Sequence, residues 1–600
     1  MIVAMTAALL LAATGSAARS APDPIVTVVQ APPTPFTVPL SSLPRYAIAA
    51  ETSKTFISAD DGTQLFIETW LPSSNGDDVP PPQLPTIMVF TPYQDLGTLE
   101  SASTMLAMVP RGYAYSQVHV RGTGLSGGCI DLYGPTEAAD GADAVQWLAT
   151  QSPWANGVVG AFGVSYPGGT ILNTAGRGDP TKTQYLKAVL AGAPALGLYE
   201  SAWLFDGVPS LLIPQAYIGQ YLTTTSLRVG EANPTDPVAL LQRFAQKPGC
   251  YPDHVLGALD LTGDVTPYFA EREGRDYVQN IKAAVFTFHG HQDLVPLHGV
   301  PPMIQVGLFD RLPATTPKFG IFGVFGHENP SSAARGPAPE LRRGDFLAME
   351  IAWFDHYLKG VGSLDGWGVA QVQGSDGRWR KVNDWPRGAG VAAKPLLLGS
   401  GTLGAPMNAA GATSTYLEGG LEMTSGNLAG TSVAFDTGPL TAGLELTGQA
   451  TLELWLQLVV PDAHVAAILE AFDATGAPLP LARTYALRSA QHRDPFFDGR
   501  FVQPAGTPAP VLTPFALTLR FQPTDIVVPP GGRLRLTVAG SVIVNSGLSQ
   551  LGVPEPLFLG PSQPSGVVGP VTILHDASHP SALRFESPDP AAEYIAPVPL

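Results

Sequence analysis

Residues 158–169 predict a short strand, a tight turn and a helix, and this succession constrains the chain more than any other feature. Residues 158–162 are apolar, as in a buried parallel strand, and Gly163 follows where a sharp reversal favours a residue without a Cβ. Such a turn pushes Ser165 outward, which makes its hydroxyl the candidate nucleophile. A serine in an ordinary strand-to-helix loop gives the same pattern, so the partners of Ser165 must decide.

The turn departs by one place from the G-x-S-x-G pattern of nucleophile elbows. Pro167 stands at the second glycine position, and Gly168 comes one residue later. Small residues on both sides of the serine allow the strand and the helix to approach closely. The narrower pattern G-x-S-Y-x-G fits instead.

Apolar runs alternate with helical patterns around this turn. We expect a hairpin around residues 60–63, helices over 136–150 and 340–359, and strands over 84–91, 113–120, 187–195, 283–289 and 318–325. This alternation indicates a parallel α/β sheet, whose sites lie beyond the carboxyl ends of the strands. The glycine-rich loop 121–128 lacks the Gly-Lys-Ser/Thr ending of a phosphate-binding loop and predicts a tight loop beside the active site.

Length and composition predict more than one domain. Six hundred residues exceed what one hydrophobic core usually organises, and 65 glycines with 59 prolines favour turns and strands. Residues 196–281 are expected to form an inserted, mainly helical cap, and the short strands past residue 387 indicate a β-sandwich. The expected domains are the α/β domain (19–195 and 282–386), the cap (196–281) and the sandwich (387–600).

Charge and hydropathy narrow the possible partners. A formal net charge of −17 argues against nucleic acid, which requires clustered Lys and Arg. Residues 1–18 are apolar and end in Gly-Ser-Ala-Ala, which predicts a signal peptide cleaved after Ala18 and export to the periplasm or the medium, although an early Lys or Arg is missing. No later apolar run is long enough to predict a membrane span. The sequence leaves the oligomeric state open.

Two cysteines, Cys129 and Cys250, allow two interpretations. They form a disulfide bond in an oxidising compartment, or they are two buried thiols. Neither cysteine has the spacing of a metal site. We expect no metal and no cofactor.

A nucleophilic serine requires a general base and a group that orients the base. In α/β-hydrolases the acid follows the serine along the chain, and the histidine comes last. Asp293 and His327 supply that order. Each follows an apolar run that ends in glycine, which predicts loops at the same sheet edge as Ser165.

The chain contains 11 histidines, so the choice of the base needs a reason. His289, His291 and His298 crowd around the acid, whereas His327 follows a separate strand after it. His327 is therefore the candidate base.

The developing oxyanion also requires donors. The backbone N–H of Tyr166, next after the nucleophile, is the generic first donor. Tyr93, at the end of the strand over residues 84–91, could present its phenol as the second, although a tyrosine in such a loop by default only packs.

These motifs together resemble the cocaine esterase and α-amino-acid ester hydrolase (CocE/NonD-type) family, which also includes X-Pro dipeptidyl-peptidases and glutaryl acylases. The resemblance runs from residue 50 to the end of the chain. Its motifs are Thr-Pro-Tyr93, Val118-His-Val-Arg-Gly-Thr-Gly-Leu-Ser-Gly, Ser152-Pro-Trp-Ala-Asn-Gly157, Gly163-Val-Ser-Tyr-Pro-Gly168, Asp293, Gly-His327, Trp353-Phe-Asp-His-Tyr-Leu-Lys-Gly360, Gly374-Ser-Asp-Gly-Arg-Trp379, Trp385-Pro386 and Gly531-Gly-Arg-Leu-Arg-Leu536.

The resemblance implies an α/β-hydrolase fold with a helical cap and a C-terminal jelly roll of the galactose-binding type. It also implies a triad of Ser165, Asp293 and His327, with a tyrosine hydroxyl, by motif Tyr93, in the oxyanion hole. The expected substrate is a small-molecule ester or amide.

Two departures from the family pattern bear on the function. His119 stands where the family usually has aspartate, and Leu294-Val-Pro follows Asp293 where members that hold a substrate ammonium often have carboxylates. A general ester or amide hydrolase therefore ranks above an X-Pro dipeptidyl-peptidase. An interpretation of a different class is an inactive scaffold whose β-sandwich binds carbohydrate or another surface.

Overall fold

The structure is a computed structural model that describes residues 32–93, 99–199, 203–205, 207–209, 250, 252–260, 262–291, 293, 308–309, 311–327, 329–331, 341–406, 408–418, 431–493, 505–540 and 569–598. The expected signal peptide lies outside the described residues, as do much of the expected cap and the expected start of the helix at residue 340.

The strands before the sandwich are β1 (Thr34–Phe36), β2 (Ala47–Ile48), β3 (Ser53–Ser58), β4 (Gln64–Trp70), β5 (Pro72–Ser73), β6 (Thr86–Thr91), β7 (Ala114–His119), β8 (Val159–Val164), β9 (Leu186–Gly192), β10 (Leu204–Phe205), β11 (Val208–Pro209), β12 (Ala284–Gly290), β13 (Lys318–Gly323), β14 (Ala370–Gln373) and β15 (Trp379–Val382). The helices are α1 (Leu99–Met108), α2 (Pro135–Thr150), α3 (Tyr166–Arg177), α4 (Pro180–Thr183), α5 (Pro252–Ala258), α6 (Pro267–Ala270), α7 (Arg275–Val278) and α8 (Phe346–Phe354). A 3₁₀ turn (Val109–Arg111) follows α1, and a π turn (Asp355–Lys359) follows α8.

The last part of the chain is almost entirely β-structure. Its strands are β16 (Val391–Ala392), β17 (Leu396–Leu397), β18 (Thr413–Glu418), β19 (Ser432–Asp436), β20 (Leu444–Leu458), β21 (His464–Phe472), β22 (Pro478–Ser489), β23 (Phe515–Arg520), β24 (Thr524–Val528), β25 (Arg533–Ala539), β26 (Gly569–Leu574), β27 (Ala582–Ser587) and β28 (Tyr594–Pro597).

A twelve-stranded mixed sheet organises the first part of the chain, in the order β1-β28-β15-β14-β13-β12-β9-β8-β6-β7-β4-β3. From β14 to β7 in this order, all neighbours pair in parallel. These strands are apolar runs because both faces of the sheet are covered. In β6, Met88 and Phe90 pack in the core on one face, while Ile87 and Val89 pack in the core on the other. The predicted α/β sheet is confirmed.

The final strand does not stay within the expected sandwich. β28 pairs with β15 and β1, so the chain returns to the large sheet after the sandwich. Ile595 is buried there in the same core as Phe36 of β1. A strand of four residues carries too little pattern to indicate which sheet it joins.

The described part of the inserted segment contains the hairpin β10–β11 and the short helices α5, α6 and α7. A disulfide bond between Cys129 and Cys250 ties this segment to the loop before α2. Of the two interpretations left open for the cysteines, the structure has the disulfide.

The C-terminal sheets enclose a core of their own. One sheet is centred on β20 and β27, and the other runs β19-β25-β21-β22. Along β20, Leu452, Leu454, Leu456 and Leu458 are buried in the core between the sheets, and the residues between them face outward. This period of two is what a half-covered antiparallel strand requires. The predicted separate all-β region is confirmed.

A buried ion pair joins the two parts of the molecule. Arg380 of β15 donates from Nε to Oδ2 of Asp525 in β24 at 3.1 Å, and its Nη2 also contacts this oxygen. Both side chains are buried. Among the described residues, no helix is both long and apolar enough to cross a membrane.

Candidate active site

Ser165 occupies the turn between β8 and α3. Its backbone has a conformation that residues other than glycine rarely adopt. Its φ is 68° and its ψ is −129°, and the residue is almost fully buried. Backbone strain of this kind costs on the order of 1–3 kcal/mol and persists only where the surroundings enforce it. The turn is therefore a constrained feature of the backbone.

Glycines make this turn possible. A Cβ at Gly163 would overlap the backbone of Pro167, and a Cβ at Gly169 would overlap the carbonyl of Ala195. At Gly168 a Cβ would lie 3.0 Å from the carbonyl oxygen of Gly192. The strand and the helix therefore approach each other as closely as the small residues around the serine predict. Gly168 takes part in this contact, although Pro167 stands at the usual glycine position.

Hydrogen bonds hold the start of α3 against the sheet. The backbone N–H of Ser165 donates to the carbonyl of Gly192 at 2.9 Å. One turn into the helix, the hydroxyl of Thr170 donates to the carbonyl of Phe90 at 2.6 Å. The turn at Ser165 is thus fixed to β9 on one side and to β6 on the other.

Asp293 and His327 form a direct contact. Nδ1 of His327 lies 3.0 Å from each carboxylate oxygen of Asp293. Asp293 is 4% exposed, so burial alone raises the pKa of its carboxyl. The charge of His327 and hydrogen bonds from His289 and His327 outweigh burial and hold this pKa well below its usual range. The carboxylate is therefore ionised.

The sheet order explains why these residues share one edge. Ser165 follows β8, Asp293 follows β12 and His327 follows β13, and β8, β9, β12 and β13 are parallel neighbours. The carboxyl ends of parallel strands lie at the same edge of a sheet. The structure thus brings Asp293 and His327 into contact and places Ser165 at the same edge.

Tyr93 lies two residues past the end of β6. In the sheet, β8 has β9 on one side and β6 on the other. The residue is partly buried against the core, and its carbonyl accepts a hydrogen bond of 3.0 Å from Nε2 of Gln117. Its N–H donates to the hydroxyl of Thr91 at 3.0 Å. Tyr93 thus follows a strand adjacent to β8, the strand before Ser165, and its own backbone N–H and carbonyl are both hydrogen-bonded.

The side chain of Tyr166 is anchored under the turn. Its ring stacks on Tyr133 at 4.2 Å between centroids, and its hydroxyl donates to Oε2 of Glu137 at 3.0 Å. Burial raises the pKa of Glu137 to about 8, and the charge of Asp131 adds to this effect. The side chain of Tyr166 is therefore held away from solvent by the stacked ring and the buried carboxyl.

His289, a residue with no role predicted from the sequence, contacts the carboxylate of Asp293. Its Nε2 lies 2.7 Å from Oδ2 of Asp293, and its ring is 2% exposed. The available signal was a histidine at the end of β12, four residues before the acid.

The glycine-rich loop 121–128 has a structural role. Arg121 binds Asp140 of α2 at 2.6 Å through two nitrogens, and Asp61 of the β3–β4 turn at 3.0 Å. Burial lowers the pKa of His119 to about 4, so this ring is neutral, and its Nδ1 accepts the N–H of Leu125 at 3.3 Å. The loop thus joins the hairpin turn to α2. Among the described residues, no group of three His, Cys, Asp or Glu side chains is placed to hold a metal ion.

Two family models match this chain in succession. Residues 61–305 match the X-Pro dipeptidyl-peptidase (S15 family), and residues 359–584 match the X-Pro dipeptidyl-peptidase C-terminal non-catalytic domain. The chain thus carries regions similar to both domains of X-Pro dipeptidyl-peptidases, which supports a serine hydrolase. The two matches fall on the two parts that the fold shows, an α/β-hydrolase domain and a separate C-terminal all-β domain.

Individual relatives of the family are distant. The chain is 23% identical to a Streptomyces avermitilis protein named as an Xaa-Pro dipeptidyl-peptidase, over 60% of this chain and 52% of that protein. It is 26% identical to the cocaine esterase of Rhodococcus sp. (strain MB1 Bresler), over 62% of this chain and 66% of the esterase. The matched region thus spans about half to two thirds of these relatives.

A solved structure shares the fold over nearly the whole chain. The CocE/NonD family hydrolase from Staphylococcus aureus superposes with a TM-score of 0.67 at 18% identity. The match covers 89% of this chain and 92% of that one, which shows the same fold.

Proposed function

We propose that this chain hydrolyses an ester or amide bond through an acyl-enzyme formed on Ser165. The observation that carries the proposal is the pair of 3.0 Å contacts between Nδ1 of His327 and the buried carboxylate of Asp293. An ionised carboxylate only accepts hydrogen bonds, so Nδ1 carries the hydrogen and Nε2 of the neutral ring is the basic nitrogen. This tautomer is the one that a general base for a serine requires.

In the proposed mechanism Ser165 attacks the carbonyl carbon while Nε2 of His327 takes its proton. His327 then gives this proton to the leaving alcohol or amine, and Asp293 stabilises the imidazolium in between. The N–H of Tyr166 and the hydroxyl of Tyr93 donate to the oxyanion. Water, deprotonated by His327, attacks the acyl-enzyme and releases the acid product with Ser165 restored.

Kinetics of two variants test the proposal. With a p-nitrophenyl ester, Ser165→Ala and His327→Ala are expected to lower kcat by about 10⁴-fold or more, because the triad acts as a unit. Ser58→Ala, an exposed serine on β3, is the matched control and is expected to match the parent. Parent-like turnover by Ser165→Ala would rule out the triad.

An X-Pro dipeptidyl-peptidase is the second candidate, favoured by the descriptions of both matching family models. Leu294-Val-Pro after Asp293 argues against it, because these residues offer no carboxylate to a substrate ammonium. The test compares a simple aryl ester with X-Pro anilides that carry a free or a blocked amino terminus. Preference for the free amine would favour the peptidase.

An inactive scaffold with a carbohydrate-binding sandwich makes a different prediction. A fluorophosphonate labels an activated serine covalently, and we expect this label on Ser165. An unlabelled protein that binds glycans would support the scaffold instead.

We further propose that the chain is exported after cleavage behind Ala18. The disulfide between Cys129 and Cys250 supports this, because such bonds persist in oxidising compartments. Mass spectrometry of the protein from an expressing bacterium is expected to find Arg19 as the first residue in the periplasm or medium. An intact Met1 in the cytoplasmic fraction alone would contradict export.

A further inference from the structure

His289 approaches the buried carboxylate of Asp293 more closely than the candidate base does. Its Nε2 lies 2.7 Å from Oδ2, whereas Nδ1 of His327 lies 3.0 Å from either oxygen. The carboxylate accepts only, so Nε2 of His289 carries the hydrogen of this bond. Asp293 is therefore held by two imidazole donors.

We propose that His289 is a positioning residue of the active site, which fixes the carboxylate of Asp293 through its Nε2–H donor and thereby orients the ring of His327. The proposal rests on the proposed function, since it assigns His289 a role in the same triad. His289 itself touches neither substrate nor the reacting atoms in this mechanism.

The position of His289 in the sheet suits this role. Asp293 and His327 lie in loops, whereas His289 is the penultimate residue of β12 and pairs in register with Phe322 of β13. Its neighbour Phe288 packs in the same buried core as Phe36 of β1. A side chain on a strand between paired neighbours is held more precisely than one on a loop. His289 thus links the carboxylate to the rigid part of the fold.

The two donors divide the carboxylate between them. His327 contacts both oxygens, and His289 contacts Oδ2 alone. Without His289, the carboxylate of Asp293 can rotate and still keep one bond to His327. The ring of His327 would then lose the orientation that directs Nε2 at Ser165, and a misplacement of about 1 Å is enough to slow an enzyme by on the order of 100-fold.

The same bond affects the basicity of His327. A hydrogen bond to the ionised carboxylate stabilises its charge, so the carboxylate attracts the proton of the imidazolium less strongly. Without the donor, the ionised carboxylate of Asp293 attracts the imidazolium proton of His327 more strongly. Among the described residues next to Asp293, His291 also titrates, but burial lowers its pKa to about 3 and the ring stays neutral. Arg380, a permanent cation on β15, acts on His291 as well.

Four substitutions separate a positioning role from packing. His289→Phe keeps the aromatic volume and removes the donor. His289→Gln keeps an N–H at about the reach of Nε2, and His289→Asn carries the same amide one methylene short. His291→Phe is the matched control, because this buried ring lies in the same loop and faces Trp385 at 5.8 Å.

The measurements are kcat and KM for a p-nitrophenyl ester across about pH 5 to 9. Rates are expressed per serine labelled by fluorophosphonate, so that misfolded protein does not count. We expect His289→Phe and His289→Asn to lower kcat by about 10- to 100-fold with KM nearly unchanged. In both variants the acid limb of the kcat/KM profile should move to higher pH. His289→Gln and His291→Phe should keep the parent kcat and the parent limb.

Either of two results would overturn the proposal. One is a parent-like rate and acid limb in His289→Phe or His289→Asn. The other is an equal loss in the Gln and Asn variants, which would show that the ring and not its donor matters. If the Phe variant does not fold, the Gln and Asn pair decides alone. Activity in Ser165→Ala would contradict the proposed function. An inactive Ser165→Ala together with parent-like His289→Phe and His289→Asn would contradict only the role of His289.

Discussion

Gly290 and Phe325 approach so closely that a Cβ at position 290 would overlap the carbonyl oxygen of Phe325. The carbonyl of Gly326 would be overlapped as well. Gly290 ends β12 before the loop that carries Asp293, and Phe325 and Gly326 lead directly to His327. The absence of a side chain at Gly290 therefore allows the loop of Asp293 and the loop of His327 to meet.

Replacement of Gly290 tests this packing. Gly290→Ala is expected to push residues 325–327 away from the end of β12 and to lengthen the contact between Asp293 and His327. We expect kcat to fall by about 100-fold or more, because catalysis tolerates little displacement of a general base. Gly127→Ala is the control, since a Cβ there meets its nearest atom at 3.6 Å. Equal activity in both variants would mean that the loops adjust without cost.

The strained turn at Ser165 predicts a difference between two inactive variants. Ser165→Gly relieves the φ of 68°, whereas Ser165→Ala retains a Cβ in that conformation. We expect the glycine variant to be more stable than the alanine variant by about 1–2 kcal/mol. Urea unfolding of the two proteins measures this difference. Lower stability of the glycine variant would argue against strain at the nucleophile.

Burial of Glu137 predicts an effect of pH on stability. Its pKa is raised from 4.5 to about 8, so between these values the folded state binds more protons than the unfolded state. The free energy of unfolding therefore falls as pH rises through this window. Glu137→Gln removes this loss, so its gain over the parent should grow with pH and level off above about pH 8, with an upper bound of about 5 kcal/mol.

Glu350 is the matched control for that experiment. Burial raises its pKa to about 8 as well, but it lies on α8. Glu350→Gln should flatten the stability profile in the same way and leave kcat at the parent value. Glu137→Gln touches Tyr166 and is expected to change kcat too. Unfolding midpoints across about pH 5 to 9 that do not change for either variant would contradict both predictions.

The ion pair of Arg380 and Asp525 is expected to matter more than any surface pair. Both side chains are buried, so Asp525→Ala leaves a buried guanidinium without its charge partner. We expect a loss of about 3–5 kcal/mol in the free energy of unfolding. Glu453→Ala breaks a pair with Arg584 whose side chains are 41% and 52% exposed, and should cost less than about 1 kcal/mol. Similar losses in denaturant unfolding would refute the contrast.

The disulfide between Cys129 and Cys250 closes a loop of 121 residues. Constraint of the unfolded chain by such a link stabilises the folded state by typically about 2–4 kcal/mol. The double variant Cys129→Ser with Cys250→Ser should lower Tm, and a reductant should lower the Tm of the parent but not that of the variant. A parent Tm that ignores the reductant would indicate that the bond adds little.

Local patterns were sufficient where one segment decides its own structure. The alternating hairpin of β3 and β4, the helix α2 and the turn at Ser165 each follow from residue spacing and the placement of glycine. They could be predicted because their hydrogen bonds lie within the segment or its immediate neighbour. The order of Ser165, Asp293 and His327 along the chain is read directly from the sequence.

Contacts between distant segments were beyond such patterns. The contact between His327 and Asp293 spans 34 residues and depends on the parallel pairing of β12 with β13. Nothing in four residues indicated that β28 would return to the large sheet. Arg380 and Asp525 lie 145 residues apart, and neither carries a local sign of the other.

The sequence by itself determined which residue types are available for chemistry and in which strands and turns they lie, because backbone conformation depends on near neighbours. Only the tertiary structure decided which of these side chains meet. The pairing of strands distant in sequence, and the burial that follows from it, determines the hydrogen-bond partners of Asp293 and the ionisation of its carboxyl.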